Sequence, residues 1–176
     1  MVINLHEELE KQKVVIDKYP FFYEREIDMI DRMSVQLIEE VREYMEAIEV
    51  DHKREELTDV LLYTLSTMCE LYYNFGLEPY INKYDMQCDI RENVVFEDPK
   101  EYILDEVTST LYSIRTKYPE RKYHKPFNVD TLTHYDKVER SSLSFFKLKE
   151  LYIKIQEVLI SKYGSEDTAK KHSIRV

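Results

Sequence analysis

The chain has no tryptophan, and only two glycines, five prolines and two cysteines among its 176 residues. So few turn-forming residues exclude an all-β fold built on many tight hairpins, and abundant Glu, Lys, Leu and Ile point instead to long helices. Cys69 and Cys88 lack the clustered spacing of a zinc site or a disulfide framework, which fits a reducing, cytoplasmic setting. No apolar run approaches the roughly 20 residues of a membrane span. The opening residues, MVINLHEELEKQK, carry acids where a signal peptide has a basic and then an apolar stretch. Positive charge is short as well: the formal charge is -10, a poor match for nucleic-acid phosphates.

What is present reads as one all-α domain, an antiparallel bundle of about five to six helices. A core over about 1–126 is followed by a helical extension over about 127–163 and a polar tail. The first helix covers about Leu5 to Lys18. The second runs from about Glu24 to Val50, with Ile27, Ile30, Met33, Leu37, Val41, Tyr44 and Ile48 as one buried stripe. Asp51 is placed to cap a third helix, about Lys53 to Asn74, which stops at Gly76. Apolar residues surround that helix on nearly every side, so it is expected to be central and to call for an oligomer, a dimer or a tetramer, to bury it. Pro99 fits the first turn of a fourth helix reaching about Tyr118, and Asp130 is placed to cap a helical region ending at Tyr163. The stretch between Gly76 and Pro99 reads as a connection with a short helix or turn.

Nine acids lie in LIEEVREYMEAIEVDHKREELTDVLLYTL, Leu37 to Leu65, among them Glu39, Glu40, Glu43, Glu46, Glu55, Glu56 and Asp59. At about 100° per residue, Glu39 and Glu46 fall opposite the apolar stripe, whereas Glu40 lies at its edge and Glu43 about 60° further round on the same side. Glu56 and Asp59 repeat the i, i+3 spacing on the third helix, and Asp59 directly precedes Val60-Leu61-Leu62. Single pairs of this kind are ordinary solvated faces; Glu7 with Glu10, Asp28 with Asp31 and Glu46 with Glu49 all share the spacing. Two pairs on neighbouring antiparallel helices, each beside an apolar stripe, are less easily explained that way. Four carboxylates meeting between helices repel one another, and a hard divalent cation such as Mg²⁺ or Mn²⁺ would resolve the repulsion. None of these four acids begins a Glu-x-x-His, which argues against a di-iron oxidase.

EEVRE, twelve residues, then ELTD resembles the Glu-x-x-Glu, Glu-x-x-Asp signature of the all-α nucleoside triphosphate pyrophosphohydrolases, which include MazG-like proteins and dimeric dUTPases. The likeness is fullest over Leu37 to Leu65. It implies Mg²⁺ held by Glu40, Glu43, Glu56 and Asp59 as the catalytic acids, and hydrolysis of a nucleoside triphosphate to its monophosphate and pyrophosphate. It also implies a homo-oligomer. Dimeric dUTPases have a tryptophan between the acid pairs that this chain lacks.

Phosphates also need fixed cations. RTKYPERKYHK, Arg115 to Lys125, carries five Arg or Lys against one Glu, so Arg115, Lys117, Arg121 and Lys122 are candidate phosphate contacts; the alternative is a solubilising loop. Tyr118 and Tyr123 are candidates to stack on a base, or else helix-interface residues. Gln12 resembles the first-helix glutamine that reads uracil in dimeric dUTPases, with the following aspartate one residue out of register; the simpler expectation is an exposed helix glutamine. Three functions remain in play: general nucleotide-pool pyrophosphohydrolase, dUTP-specific diphosphatase, and a non-catalytic helical module that binds a nucleotide or a protein.

Overall fold

The computed structural model describes residues 1–18, 22–118 and 134–164. Five α-helices among these residues form an all-α bundle: α1 (Leu5–Lys18), α2 (Glu26–Glu46), α3 (Val50–Cys69), α4 (Pro99–Arg115) and α5 (His134–Val158). A small sheet joins the two ends of the first half. β1 (Val2–Asn4) pairs antiparallel with β2 (Gln87–Asp89), with Ile3 opposite Cys88. The sequence reading missed this sheet, because three-residue strands are too short to show an alternation.

α1 starts where the Asn4 side chain accepts from the His6 backbone N–H at 3.1 Å, the ordinary role of an N-cap. Its buried residues, Leu5, Leu9, Gln12 and Val15, fall at helical spacing and lie on α3. α2 packs most extensively against α3, and the link 47–49 turns the chain back between them. α2 ends four residues earlier than its apolar pattern predicts. Ala47 is extended, and the Lys100 ammonium donates to the carbonyls of Met45 at 2.8 Å and Ala47 at 2.6 Å, which satisfies groups a longer helix would have paired itself. Ile48, expected on the buried stripe, is therefore 81 % exposed. α3 in turn begins at Val50 with Glu49 as N-cap. Asp51 lies inside the first turn and pairs with Arg54 at 2.9 Å instead of capping.

α3 continues through a wider helical turn, Glu70–Asn74, and stops at Gly76, whose φ of 74° is the left-handed conformation that closes a helix. The Leu77 N–H bonds back to the Leu71 carbonyl at 3.2 Å across this end. α1, α2 and α5 all pack on α3, and Leu57, Val60, Leu61, Leu62, Leu65 and Met68 are buried within the one chain. The apolar character of this helix thus needs no second copy, which removes the sequence argument for an oligomer drawn from it. α4 carries Pro99 at its start, with the Asp98 carboxylate accepting from the Glu101 N–H at 3.1 Å, and lies against α5 and α2. It stops at Arg115, three residues short of Tyr118. The expected cap Asp130 falls outside the described residues. None of the described helices is long and apolar enough to cross a membrane.

The chain between β2 and α4 is fastened to α5 by one charged clamp. Arg91 donates from Nε and its backbone N–H to Glu157 Oε2 at 2.7 and 2.9 Å, and from Nη2 to Oε1 at 3.0 Å. Burial by itself raises Glu157, but the Arg91 hydrogen bonds and charge override it and hold the carboxyl below the usual carboxylate range. A depressed folded pKa gives stability that is present above the unfolded value and lost as pH falls through the folded one. Glu157→Gln is accordingly expected to lower the melting temperature at pH 7 by several degrees. The gap to the parent should close as the pH falls below about 4, near the unperturbed carboxylate range.

Candidate metal and nucleotide site

The link 47–49 sets α2 and α3 side by side so that Glu40 lies near Asp59 and Glu43 near Glu56. Glu40, Glu43 and Glu56 each present a carboxylate oxygen within 4.8 Å of the others. Asp59 stands outside that trio, and its charge acts on both Glu40 and Glu56. The remaining acids of the stretch face water: Glu39, Glu46, Glu49, Asp51 and Glu55 are exposed, with Glu46 paired to Arg42 at 3.4 Å. Glu46→Gln should therefore leave any activity of the site within about twofold of the parent in a turnover assay, the usual size of a surface substitution.

The electrostatics are those of a site holding too much negative charge. Burial, then the charges of Asp59, Glu43 and Glu56, push Glu40 up to about 7. Burial, contact with Glu43 and the charge of Asp59 raise Glu56 as well. His52 partly offsets this, its Nε2 lying 3.0 Å from Glu56 Oε1. One oxygen each of Glu40 and Glu56 is buried with no hydrogen-bond partner among the described residues. Acceptor-only atoms, buried, orphaned and converging from two helices, fit a hard divalent cation with oxygen ligands. Mg²⁺ or Mn²⁺ suits this donor set; a zinc site would use His or Cys.

A cleft lies further along the same two helices, with none of the four acids in its lining. Gln12, Arg32, Gln36, Tyr63, Ser66 and Glu70 line about 250 Å³ between α1, α2 and α3. Gln36 is one turn before Glu40 on α2, and Tyr63 is one turn after Asp59 on α3. From Asp59 to Ser66 the helix rises about 10 Å, comparable to the length of a nucleoside. Gln12 is not the exposed glutamine the sequence suggested: it is 2 % exposed, since position 12 shares the stripe of Leu9 and Val15. Its Nε2 donates to Ser66 Oγ at 2.7 Å, and its Oε1 is buried without a partner among the described residues. Glu70, also in this cleft, is buried; desolvation raises its carboxyl, and a hydrogen bond from Asn74 at 2.6 Å partly counters that.

The described basic and aromatic candidates, Arg115, Lys117 and Tyr118, lie elsewhere. Arg115 pairs through Nε with Asp31 at 3.3 Å and donates to the Tyr118 carbonyl at 3.1 Å. Asp31 is nine residues before Glu40, about 14 Å along α2. The Lys117 ammonium donates to the Ser113 carbonyl at 2.7 Å, and burial, then Lys147, lower its pKa. Tyr118 is 3 % exposed and donates to Glu26 at 2.8 Å. It is a core residue, which corrects its placement as a base-stacking one. Arg121, Lys122 and Tyr123 lie outside the described residues.

Sequence reasoning overlooked His52, Ser66 and Glu70. A signal was there: Glu56, Asp59, Tyr63, Ser66 and Glu70 step by three and four along α3, a polar seam through an apolar helix. Arg32, Gln36, Glu40 and Glu43 make the matching seam on α2. No protein-family model matches this chain, and no curated protein or solved structure matches it either.

Proposed function

We propose that this protein hydrolyses nucleoside triphosphates to monophosphates and pyrophosphate, as a member of the all-α pyrophosphohydrolases, with Mg²⁺ held by Glu40, Glu43, Glu56 and Asp59. The observation that carries the reading is the pair of orphaned, buried carboxylate oxygens of Glu40 and Glu56; Gln36 and Tyr63, one helical turn from Glu40 and Asp59, line a cleft of about 250 Å³ along the same two helices. Bound there, Mg²⁺ supplies the positive charge that lets an acidic site accept a polyphosphate and that lowers the pKa of a coordinated water. Glu40 and Glu56, the two acids with raised pKa values, hold the inner side of the site; Glu43, exposed, holds its mouth. His52 orients Glu56 through its hydrogen bond. Tyr63, Gln36 and Gln12 line the path a base and sugar would follow away from the acids.

A second reading, dUTP specificity, is favoured by Gln12. A buried amide with a free oxygen beside the cleft can accept from a base N–H, and leaving that oxygen unmatched costs about 1–3 kcal/mol. A panel of common and modified nucleoside triphosphates with Mg²⁺, assayed for pyrophosphate release, tests both readings. Turnover of several triphosphates supports the general activity. A dUTP preference that falls about tenfold or more in Gln12→Ala supports the specific one. No turnover across the panel with Mg²⁺ or Mn²⁺ leaves the chain as a non-catalytic binding module. We place the protein in the cytoplasm and expect a dimer or tetramer. The exposed Ile38 and Leu104 beside the α2–α4 groove are the surface that supports association.

A further inference from the structure

A cavity of about 390 Å³ lies toward the other end of α2, between its first turn, the Phe75–Tyr80 turn and the start of α5. Its chemistry is opposite to that of the acid cluster. Arg140, on α5, lines it and is only 8 % exposed. Nη2 of Arg140 donates to Glu26 Oε2 at 2.8 Å, and the guanidinium carbon sits 4.4 Å from the centre of the Tyr118 ring. Nε and Nη1 have no partner among the described residues. Glu26 is already engaged elsewhere, its Oε1 accepting from Tyr118 at 2.8 Å and from Ser141 at 2.5 Å. Buried guanidinium N–H groups without an acceptor are costly, and an oxygen acceptor entering the cavity would remove that cost.

Three further features point the same way. Arg25, which precedes the first turn of α2, also lines the cavity and has a buried Nε without a partner among the described residues. Lys137 lines it from α5 and is exposed. Arg25, Lys137 and Arg140 outnumber Glu24 and Glu26, so the lining is net positive in a chain of formal charge -10. The other wall is apolar, from Phe75, Leu77 and Pro79. Glu26 precedes Glu40 by fourteen residues, about 21 Å along the α2 axis, so the cavity is separate from the acid cluster.

We propose that this cavity is a second binding site, for a small oxyanion (a phosphate or carboxylate group) carrying an apolar or aromatic portion. The anionic oxygens accept from Arg140, with Arg25 and Lys137 adding charge, and the apolar portion rests on Phe75 and Pro79.

The test uses the full chain, stripped of divalent ions on a chelating resin, so that no cation bridges an anion to the acid cluster. Phenyl phosphate, inorganic phosphate and benzoate are titrated while the melting temperature is followed, against NaCl at matched ionic strength. Phenyl phosphate or benzoate should raise the melting temperature saturably by about 2–4 °C beyond NaCl, and whichever does so identifies the preferred anionic group. Inorganic phosphate should act more weakly, because it lacks the apolar portion. Arg140→Lys should abolish the shift, and Lys137→Ala and Arg25→Ala should each weaken the apparent affinity by about threefold or more. The latter two keep the test valid if the Arg140 variant does not fold. Glu43→Gln should leave the shift unchanged. No saturable shift beyond NaCl with any of the three anions would overturn the proposal. So would a shift that Lys137→Ala and Arg25→Ala leave intact, or one that Glu43→Gln removes.

Discussion

Glu43→Gln and Asp59→Asn should each reduce pyrophosphate release by about 10³-fold or more, while the helical circular dichroism signal stays unchanged. Each change keeps the shape of the side chain and removes one negative charge from the cluster. Phosphoryl transfer depends on positioning and on charge stabilisation, and single preorganised groups in such sites account for about 10²–10³ in rate. Glu43 is exposed, and removing like charge from a self-repelling cluster relaxes it. The fold should therefore survive where the chemistry does not. Full activity in both variants would show that the acids do not form the reacting site.

The second large effect concerns stability, and its sign is opposite to that of the Arg91–Glu157 clamp. Glu40 has a folded pKa raised to about 7, against 4.5 ordinarily. Between those values the folded chain binds more protons than the unfolded one, so stability falls as pH rises through this window. Below about 4.5 Glu40 is neutral in both states and the penalty is absent; above about 7 it is complete. In metal-free buffer at pH 8, Glu40→Gln is thus expected to be more stable than the parent. The difference is of order 1 kcal/mol after allowance for screening of this half-buried group, or about 2–4 °C in melting temperature. It should vanish near pH 4. Millimolar Mg²⁺ should reverse the order at pH 8, stabilising the parent more than the variant. A parent more stable than Glu40→Gln in metal-free buffer at pH 8 would contradict the repulsion described for these acids.

The helices were legible because their apolar residues recur at three and four along 27–44 and their ends carry Pro99 and Gly76. What the sequence hid were contacts between segments far apart in the chain. Lys100 shortens α2 by binding carbonyls some 53 and 55 residues away, and nothing local to Ile48 announces that. The pairing of β1 with β2 joins residues more than 80 positions apart, with no alternation in either three-residue strand. For the acids, spacing placed Glu39, Glu46 and Glu55 in water, where they lie, but it did not show that Glu43, grouped with Glu40, Glu56 and Asp59, is exposed as well. Gln12 was misjudged on its polarity: its place three residues after Leu9 and three before Val15 puts it on the stripe that α1 lays across α3. For Tyr118 the sequence left base stacking and a helix interface both open, and its burial against Glu26, 92 residues away, decides for the interface.

The most direct test of the central claim is calorimetric titration of Mn²⁺ and Mg²⁺ into the metal-free parent and into Glu40→Gln/Glu56→Gln at pH 7.5, with no nucleotide present. Saturable binding in the parent, with protons released as Glu40 is held in its charged form, and its loss in the double variant are the predicted results. No saturable binding by the parent, or equal binding by both proteins, would contradict the assignment of these acids as a divalent-cation site.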